Sequence, residues 1–388
     1  MVLLIARRNH RRIFVAMRIS VVIMAGGVGS RFWPESREKR PKQLLDVITP
    51  GTSLVQATVA RTKHFASIED TIIVTGEMQR EELQRQIPDL PKENIISEPF
   101  GRNTAPCIAL GARILRERSG GESVMVVLPA DHIIRNDHEF ARLMQLGARL
   151  AFETKSLVTV GIHPSRPETG FGYIQLDDEH LPSQKDLTGF TEFELRDVLR
   201  VKRFAEKPDI DTAKRFVESG DFLWNSGMFI WRIDAVEAAM REFTPEIMEQ
   251  IDTLPSLASP DFIAKLREAY STIRGVSIDY GVMERAPNVY VLRAGALGWS
   301  DVGSWDEVYR LSEKDLENNV LTGSHVIARN SKGSLVISRS DRLIALYGVS
   351  DMVVIDTGDA ILITKRDQAQ GVREVVDYLK RHQMTEFL

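Results

Sequence analysis

The sequence predicts an α/β protein: a mostly parallel sheet flanked by helices, followed by a small C-terminal β-rich domain. Three observations carry this expectation. From Arg18 to about residue 132, short and wholly apolar runs alternate with amphipathic stretches. Strands apolar at every position are covered on both faces, as in a parallel sheet held between helix layers. The chain of 388 residues exceeds one compact core and is short for three. Beyond Asn318 the texture changes to short β-rich pieces punctuated by Gly, Asn and Ser-Asp turns.

Taken in order, "ISVVIMA" (19–25) is a buried strand and "SLVQATVARTKHF" (53–65) a helix. "TIIVTG" (71–76) and "MQREELQRQI" (78–87) repeat the pair. "NIISEP" is a third strand, "NTAPCIALGARILRER" (103–118) a long helix, and "SVMVVLPADH" (123–132) a fourth strand. Ligands of such sheets bind outside the carboxyl ends of the strands. The glycine loop after the first strand and "PADH" after the fourth are thus expected on one rim. "GFGYIQL" and "VKRFAEKP" flank a variable insertion (178–197), "SGMFIWRI" (226–233) is another strand, and helices fill 234–271. A boundary near 312–322 divides a main domain (18–315) from a β-rich domain (316–388) that ends in the helix "QAQGVREVVDYLKRH". The β-rich part is compatible with a small sandwich or a short β-solenoid.

Composition narrows the function. A hydrophobic fraction of 43% and a charged fraction of 27% are those of an ordinary globular protein. A net charge of -4 argues against a nucleic-acid binder, so any phosphate chemistry must use local basic clusters. The one cysteine, Cys107, excludes an intrachain disulfide and a cysteine metal cage, and fits a cytoplasmic protein. "MVLLIARRNHRRIFVAM" lacks the apolar core and cleavage site of a signal peptide. Residues 1–17 are expected as a loosely ordered extension, upstream of a natural start at Met17. Nothing reaches the ~18 to 20 apolar residues of a membrane span, so no membrane partner is expected.

The chemistry concentrates in a few segments. "VIMAGGVGSRFWPESREKRPKQLL" (22–45) runs from a strand into glycines and then basic residues. It is not a P-loop, because no Gly-Lys-Ser/Thr follows at the required spacing, and Phe32 occupies the third glycine position of the dinucleotide fingerprint. Glycines let backbone N–H groups approach a phosphate closely. Arg31 adds a forked donor and Lys42 a point charge, a set suited to a triphosphate. A triphosphate arrives with magnesium, which takes one or two carboxylates besides phosphate oxygens. Asp131 in "LPADH" and Asp301 in "GWSDVGSWDE" (298–307) are candidates. "RFAEKP" (203–208) presents a lysine to an anionic substrate, while "TGFGYI" (169–174) and "LWNSGMF" (223–229) suit the polar edge of a sugar. The eight histidines show no metal spacing, and no Gly-x-Ser-x-Gly is present.

Together these segments resemble the nucleotidyltransferases that make nucleotide-activated sugars. The resemblance rests on "AGGVGSRFWPESREKRPKQ", "SEPFGRNTAPCIAL", "VVLPADH", "RPETGFGYI", "FAEKPD", "WNSGMFIW", "SIDYGVMER" and "WSDVGSWDE", in the family's chain order over about residues 18–365. It implies a Rossmann-like nucleotidyltransferase fold with a β-helix-like C-terminal domain used in homodimer contacts. Gly26, Gly27, Gly29, Ser30, Arg31 and Lys42 correspond to the triphosphate cradle, and Arg102, Asn103 and Thr104 to the base-recognition segment. Its "GRNTAP" form implies guanine. Asp131 and Asp301 match the metal-binding aspartates, for which Mg²⁺ is implied. Gly172, Tyr173, Glu206, Asn225 and Asp279 match sugar-side positions, and Lys207 the lysine that meets the sugar phosphate.

The implied reaction is GTP plus mannose 1-phosphate giving GDP-mannose and pyrophosphate, with Arg31, Lys42 and Lys207 as catalytic residues. The family's usual "FVEKP" reads "FAEKP" here. The chain stops where longer bifunctional relatives continue into a phosphomannose isomerase domain, so no isomerase activity is expected. Two alternatives stay open. One is a sister enzyme using another nucleotide or glucose 1-phosphate. The other is a silent regulatory homologue that binds GDP-mannose.

Overall fold

The computed structural model describes residues 2–8, 11–27, 29–177 and 187–388, with backbone alone for 2–16. Residues 178–186 of the expected insertion lie outside this set. Within residues 1–17, expected from sequence as a loose extension, Val2–Arg8 and Arg11–Met17 pair as an antiparallel hairpin separate from the main sheet.

Nine strands form that sheet: β1 (Ile19–Ala25), β2 (Thr71–Gly76), β3 (Ile95–Glu98), β4 (Val124–Pro129), β5 (Leu157–Ile162), β6 (Gly172–Leu176), β7 (Val198–Glu206), β8 (Phe222–Arg232) and β9 (Val289–Arg293). Their spatial order is 3-2-1-4-8-5-9-7-6. The half built from β3, β2, β1 and β4 is parallel. Strand β8 runs antiparallel to β4, β5 and β6, so the sheet is mixed overall. The register of β8 against β5 shifts between Asn225 and Phe229. A bulge of this kind re-aims a side chain, here beside the rim where β1 and β4 end.

Alternation along β1 sorts its side chains onto the two faces. Val21 and Ile23 pack with Val55 and Val59 of α1 (Leu54–Thr62) and with Phe140 and Leu143 of α3 (Asp137–Thr154). Val22 packs on the other face with Ile108 of α2 (Thr104–Ser119), Val236 of α4 (Ile233–Phe243) and Tyr270 of α5 (Phe262–Thr272). Gly111 lets α2 approach closely, since a Cβ there would lie 2.9 Å from Val22.

The C-terminal region is solenoid-like. Strands β10 (Val320–Thr322), β12 (Leu335–Ser338) and β14 (Met352–Asp356) stack in parallel, as do β11 (Val326–Arg329) and β13 (Ile344–Tyr347), and β15 (Ile361–Lys365) adds antiparallel to β14. Helices α6 (Trp305–Leu311) and α7 (Val372–Arg381) close it against the main domain. A third core joins the two regions. Phe32, Trp33, Leu45 and Val47 from the segment after the glycines pack with Trp305, Leu335, Val353, Val372 and Val376. Polar links reinforce this: Arg339 meets Glu35 at 2.5 Å and Asp46 at 2.8 Å, and the Trp33 indole N–H donates to Phe387 O. Among the described residues no helix is long and apolar enough to cross a membrane.

Candidate active site

The ends of β1 and β4, the start of α2, the β8 bulge and the loop before α6 enclose a cleft of about 520 Å³. Gly26, Gly27, Gly29 and Lys42 form one wall. Gly29 has φ 69°, and a Cβ on it would come within 2.4 Å of the Lys42 Cβ. Only glycine lets the loop close over that lysine. Lys42 itself is buried, and its ammonium donates to Asp131 Oδ2 at 2.7 Å and to the Asp301 carbonyl at 2.5 Å. An ammonium has three donors, so one remains for a ligand.

Asp301 precedes Val302, a buried β-branched residue at φ 47°. Such a conformation is strained and persists where the surrounding structure over-determines it. Burial disfavours charge on Asp131, but Lys42 and neighbouring hydrogen bonds outweigh it and hold the carboxyl below its ordinary range. Asp301 is pushed up to about 6 by burial and by Asp131, with Lys42 opposing. The pair is thus short of positive charge. Among the described residues no three His, Cys, Asp or Glu side chains gather as a metal cage. Two carboxylates fit a magnesium ion whose other ligands are phosphate oxygens and water.

His132 is neutral, its pKa lowered to about 4 chiefly by burial. The Trp299 indole N–H donates to its Nδ1 at 3.2 Å, which leaves the proton on Nε2.

At the start of α2, Asn103 adopts φ 68° and its side chain accepts from Thr104 N at 2.9 Å. Thr104 Oγ1 accepts from Ile278 N at 2.8 Å, and Arg102 Nε donates to Tyr270 O at 3.0 Å. All three residues line the cleft. Beside them stands Glu98, at the end of the strand read from "NIISEP", which sequence reasoning did not single out. Tyr270 Oη donates to its Oε1 at 2.8 Å, and its Oε2 lies 3.5 Å from where a Cβ on Gly26 would be. Burial raises its pKa to about 7, with the tyrosine bond opposing.

The same cleft holds Gly172, Glu206, Lys207, Asn225 and Asp279. Asn225 Nδ2 donates to Asp279 Oδ1 at 2.6 Å, and Lys207 Nζ lies 3.0 Å from Glu206 Oε1. Burial pushes Asp279 up to about 6, the Asn225 bond opposing and Glu206 adding to it. A Cβ on Gly172 would come within 2.6 Å of Glu206 Oε2, so glycine makes room for that carboxylate. Phe171 and Trp299, also missed from sequence, add aromatic surface with ring centroids 5.6 Å apart.

One expectation is corrected. The Tyr173 side chain is fully buried against Phe216 and Phe222, and its hydroxyl serves the backbone of Glu168. It follows Gly172 on the strand and so points to the other face. Ser30 and Arg31 line a smaller cavity that adjoins the main cleft along Gly29, Lys42, Asp131 and Asp301.

This fold and this cleft define a nucleotidyl transferase. The family model described as Nucleotidyl transferase matches residues 20–318, and that described as MannoseP isomerase/GMP-like beta-helix domain matches 324–379. A mannose-1-phosphate guanylyltransferase of Klebsiella pneumoniae is 38% identical over 375 residues, 94% of this chain and 75% of that protein. One of Escherichia coli (strain K12) is 38% identical over 364 residues, covering 92% and 73%. The solved structure titled mannose-1-phosphate geranyltransferase, from Thermus thermophilus, superposes with a TM-score of 0.80 at 33% identity, over 94% of this chain and 100% of that one. The chain belongs to the mannose-1-phosphate guanylyltransferase family of nucleotidyl-transferring enzymes.

Proposed function

We propose that this enzyme transfers a guanylyl group from GTP to mannose 1-phosphate, giving GDP-mannose and pyrophosphate, with residues 18–315 as the catalytic domain and 316–388 as the β-rich domain. The observation that carries the reading is that one cleft gathers these groups. Glu98, Arg102, Asn103 and Thr104, the glycine loop with Lys42, the Asp131 and Asp301 pair, and Glu206, Lys207, Asn225 and Asp279 all line it.

Glu98 supports guanine. Guanine presents two adjacent donors, N1–H and the 2-amino group, to which a carboxylate is the natural acceptor. Gly172, Glu206, Asn225 and Asp279 offer carboxylates and an amide to sugar hydroxyls. Lys207 meets the sugar phosphate.

A sugar phosphate has a second pKa near ~6 and is mostly a dianion at neutral pH. It is already a nucleophile, so no general base is required. The protein's task is in-line positioning and charge neutralisation. Lys207 orients the attacking phosphate, while Lys42 and Arg31 stabilise charge on the α-phosphate and the departing oxygens. Asp131 and Asp301 would hold Mg²⁺, which when bound supplies further charge neutralisation on the phosphates. The lone Cys107 supports a cytoplasmic setting. Exposed Ile327, Tyr347, Ile361 and Ile363 on the β-rich domain support a homodimer contact there.

Steady-state kinetics of Lys207→Ala test this arrangement. The variant raises the apparent KM for mannose 1-phosphate far more than that for GTP. Equal increases for both substrates contradict the place given to this lysine.

A further inference from the structure

A second cavity, of about 290 Å³, adjoins the main cleft along Gly29, Lys42, Asp131 and Asp301. Besides Ser30 and Arg31 of the glycine loop, its wall contains one residue of the C-terminal domain, Arg373. This residue lies on α7, which packs against the turn Ser30–Phe32. Val372 and Val376 anchor the helix in the core that holds Phe32 and Trp33. Arg373 stands off this buried stripe, with its side chain 66% exposed. Its nearest carboxylate, Asp377, is 3.9 Å from Nε, too long for a hydrogen bond. No hydrogen bond engages its guanidinium among the described residues.

Charge balance gives the cavity a direction. Without Arg373, its cations Arg31 and Lys42 are matched by Asp131 and Asp301. Lys42 is also already committed to Asp131 and the Asp301 carbonyl. Arg373 tips the cavity to positive. In an in-line displacement the leaving group departs from the side opposite the nucleophile. Lys207 lines the main cleft and not this cavity, whose wall includes Gly29, Ser30 and Arg31 of the glycine loop.

We propose that Arg373 contacts the β- and γ-phosphates of the bound nucleotide and the departing pyrophosphate, so that the C-terminal domain contributes a catalytic residue. The inference rests on the guanylyl-transfer reading above. A mannose 1-phosphate oxygen bonds to the α-phosphorus as the bond from that phosphorus to the β-bridging oxygen breaks. The electron pair leaves on pyrophosphate, where a forked guanidinium is suited to receive it. No proton transfer or further reactant is needed.

The test measures GDP-mannose synthesis and its reversal by pyrophosphate in wild type, Arg373→Ala, Arg373→Lys and Asp377→Ala. Arg373→Ala raises the apparent KM for pyrophosphate about tenfold, a modest value for an electrostatic contact because the group is exposed. Forward turnover falls, while the KM for mannose 1-phosphate stays unchanged. Arg373→Lys recovers part of the loss, and Asp377→Ala, which perturbs the same helix and keeps the cation, behaves as wild type. An unchanged KM for pyrophosphate in Arg373→Ala overturns the proposal. So does an equal loss in Asp377→Ala, which assigns the effect to helix docking. A wild-type protein inactive in both directions overturns the parent reading instead.

Discussion

Glu98 joins stability to recognition in one side chain. It is 6% exposed, and its pKa is raised from the ordinary 4.5 to about 7, mainly by burial. A carboxyl with a raised folded-state pKa favours folding below its unfolded value and loses that contribution as pH rises through the folded one. Wild type therefore loses stability relative to Glu98→Gln between pH 4.5 and just above 7, by on the order of 3 kcal/mol. Thermal melts at pH 5 and pH 8 check this. The Tm advantage of Glu98→Gln is small at pH 5 and large at pH 8, and an equal difference at both contradicts it. At this scale the sequence singled out Lys42, Asp131 and Asp301 by residue type and motif, and the fold brings all three to one cleft. It concealed Glu98, whose meaning depends on Tyr270 far along the chain. It also misassigned Tyr173, because adjacency to Gly172 does not say which face a side chain takes.

Among elements, the segment from Phe32 to Val47 has the most consequence. In sequence it reads as a basic loop, whereas in the fold it is partly interior. Phe32, Trp33 and Leu45 join a core completed by the C-terminal region, a non-local contact that no local pattern reports. Glu35 is buried, and its Oε2 has no hydrogen-bond partner among the described residues. Its Oε1 accepts from Arg339, which also bonds Asp46. Arg339→Ala leaves the buried Glu35 charge with the half-exposed Arg40 guanidinium 3.9 Å from its Oε2, and loosens the segment that carries Lys42. Breaking a buried pair is costly, and with Arg339 partly exposed the expected loss is about 2 kcal/mol. Denaturant unfolding reads that loss directly, and turnover falls with it. An Arg339→Ala protein as stable as wild type contradicts the idea that the C-terminal domain braces the loop.

Across the whole molecule, the apolar strands and the helices between them made the α/β half legible, because double-sided burial leaves a plain mark on composition. The antiparallel half was less so. Strand β8 pairs with three partners and changes register at Asn225, and such pairings depend on contacts distant in sequence. These features bring Glu98, the glycine loop with Lys42, Asp131 and Asp301, and Glu206, Lys207, Asn225 and Asp279 to one cleft. The most direct test is pyrophosphate release by the purified chain with Mg²⁺, using every pairing of the common nucleoside triphosphates with mannose 1-phosphate and glucose 1-phosphate. The account predicts rapid release with GTP and mannose 1-phosphate, little with other pairs, and none once the metal is chelated. Equal release with other nucleotides, or silence across the panel from folded protein that binds GDP-mannose, would contradict it.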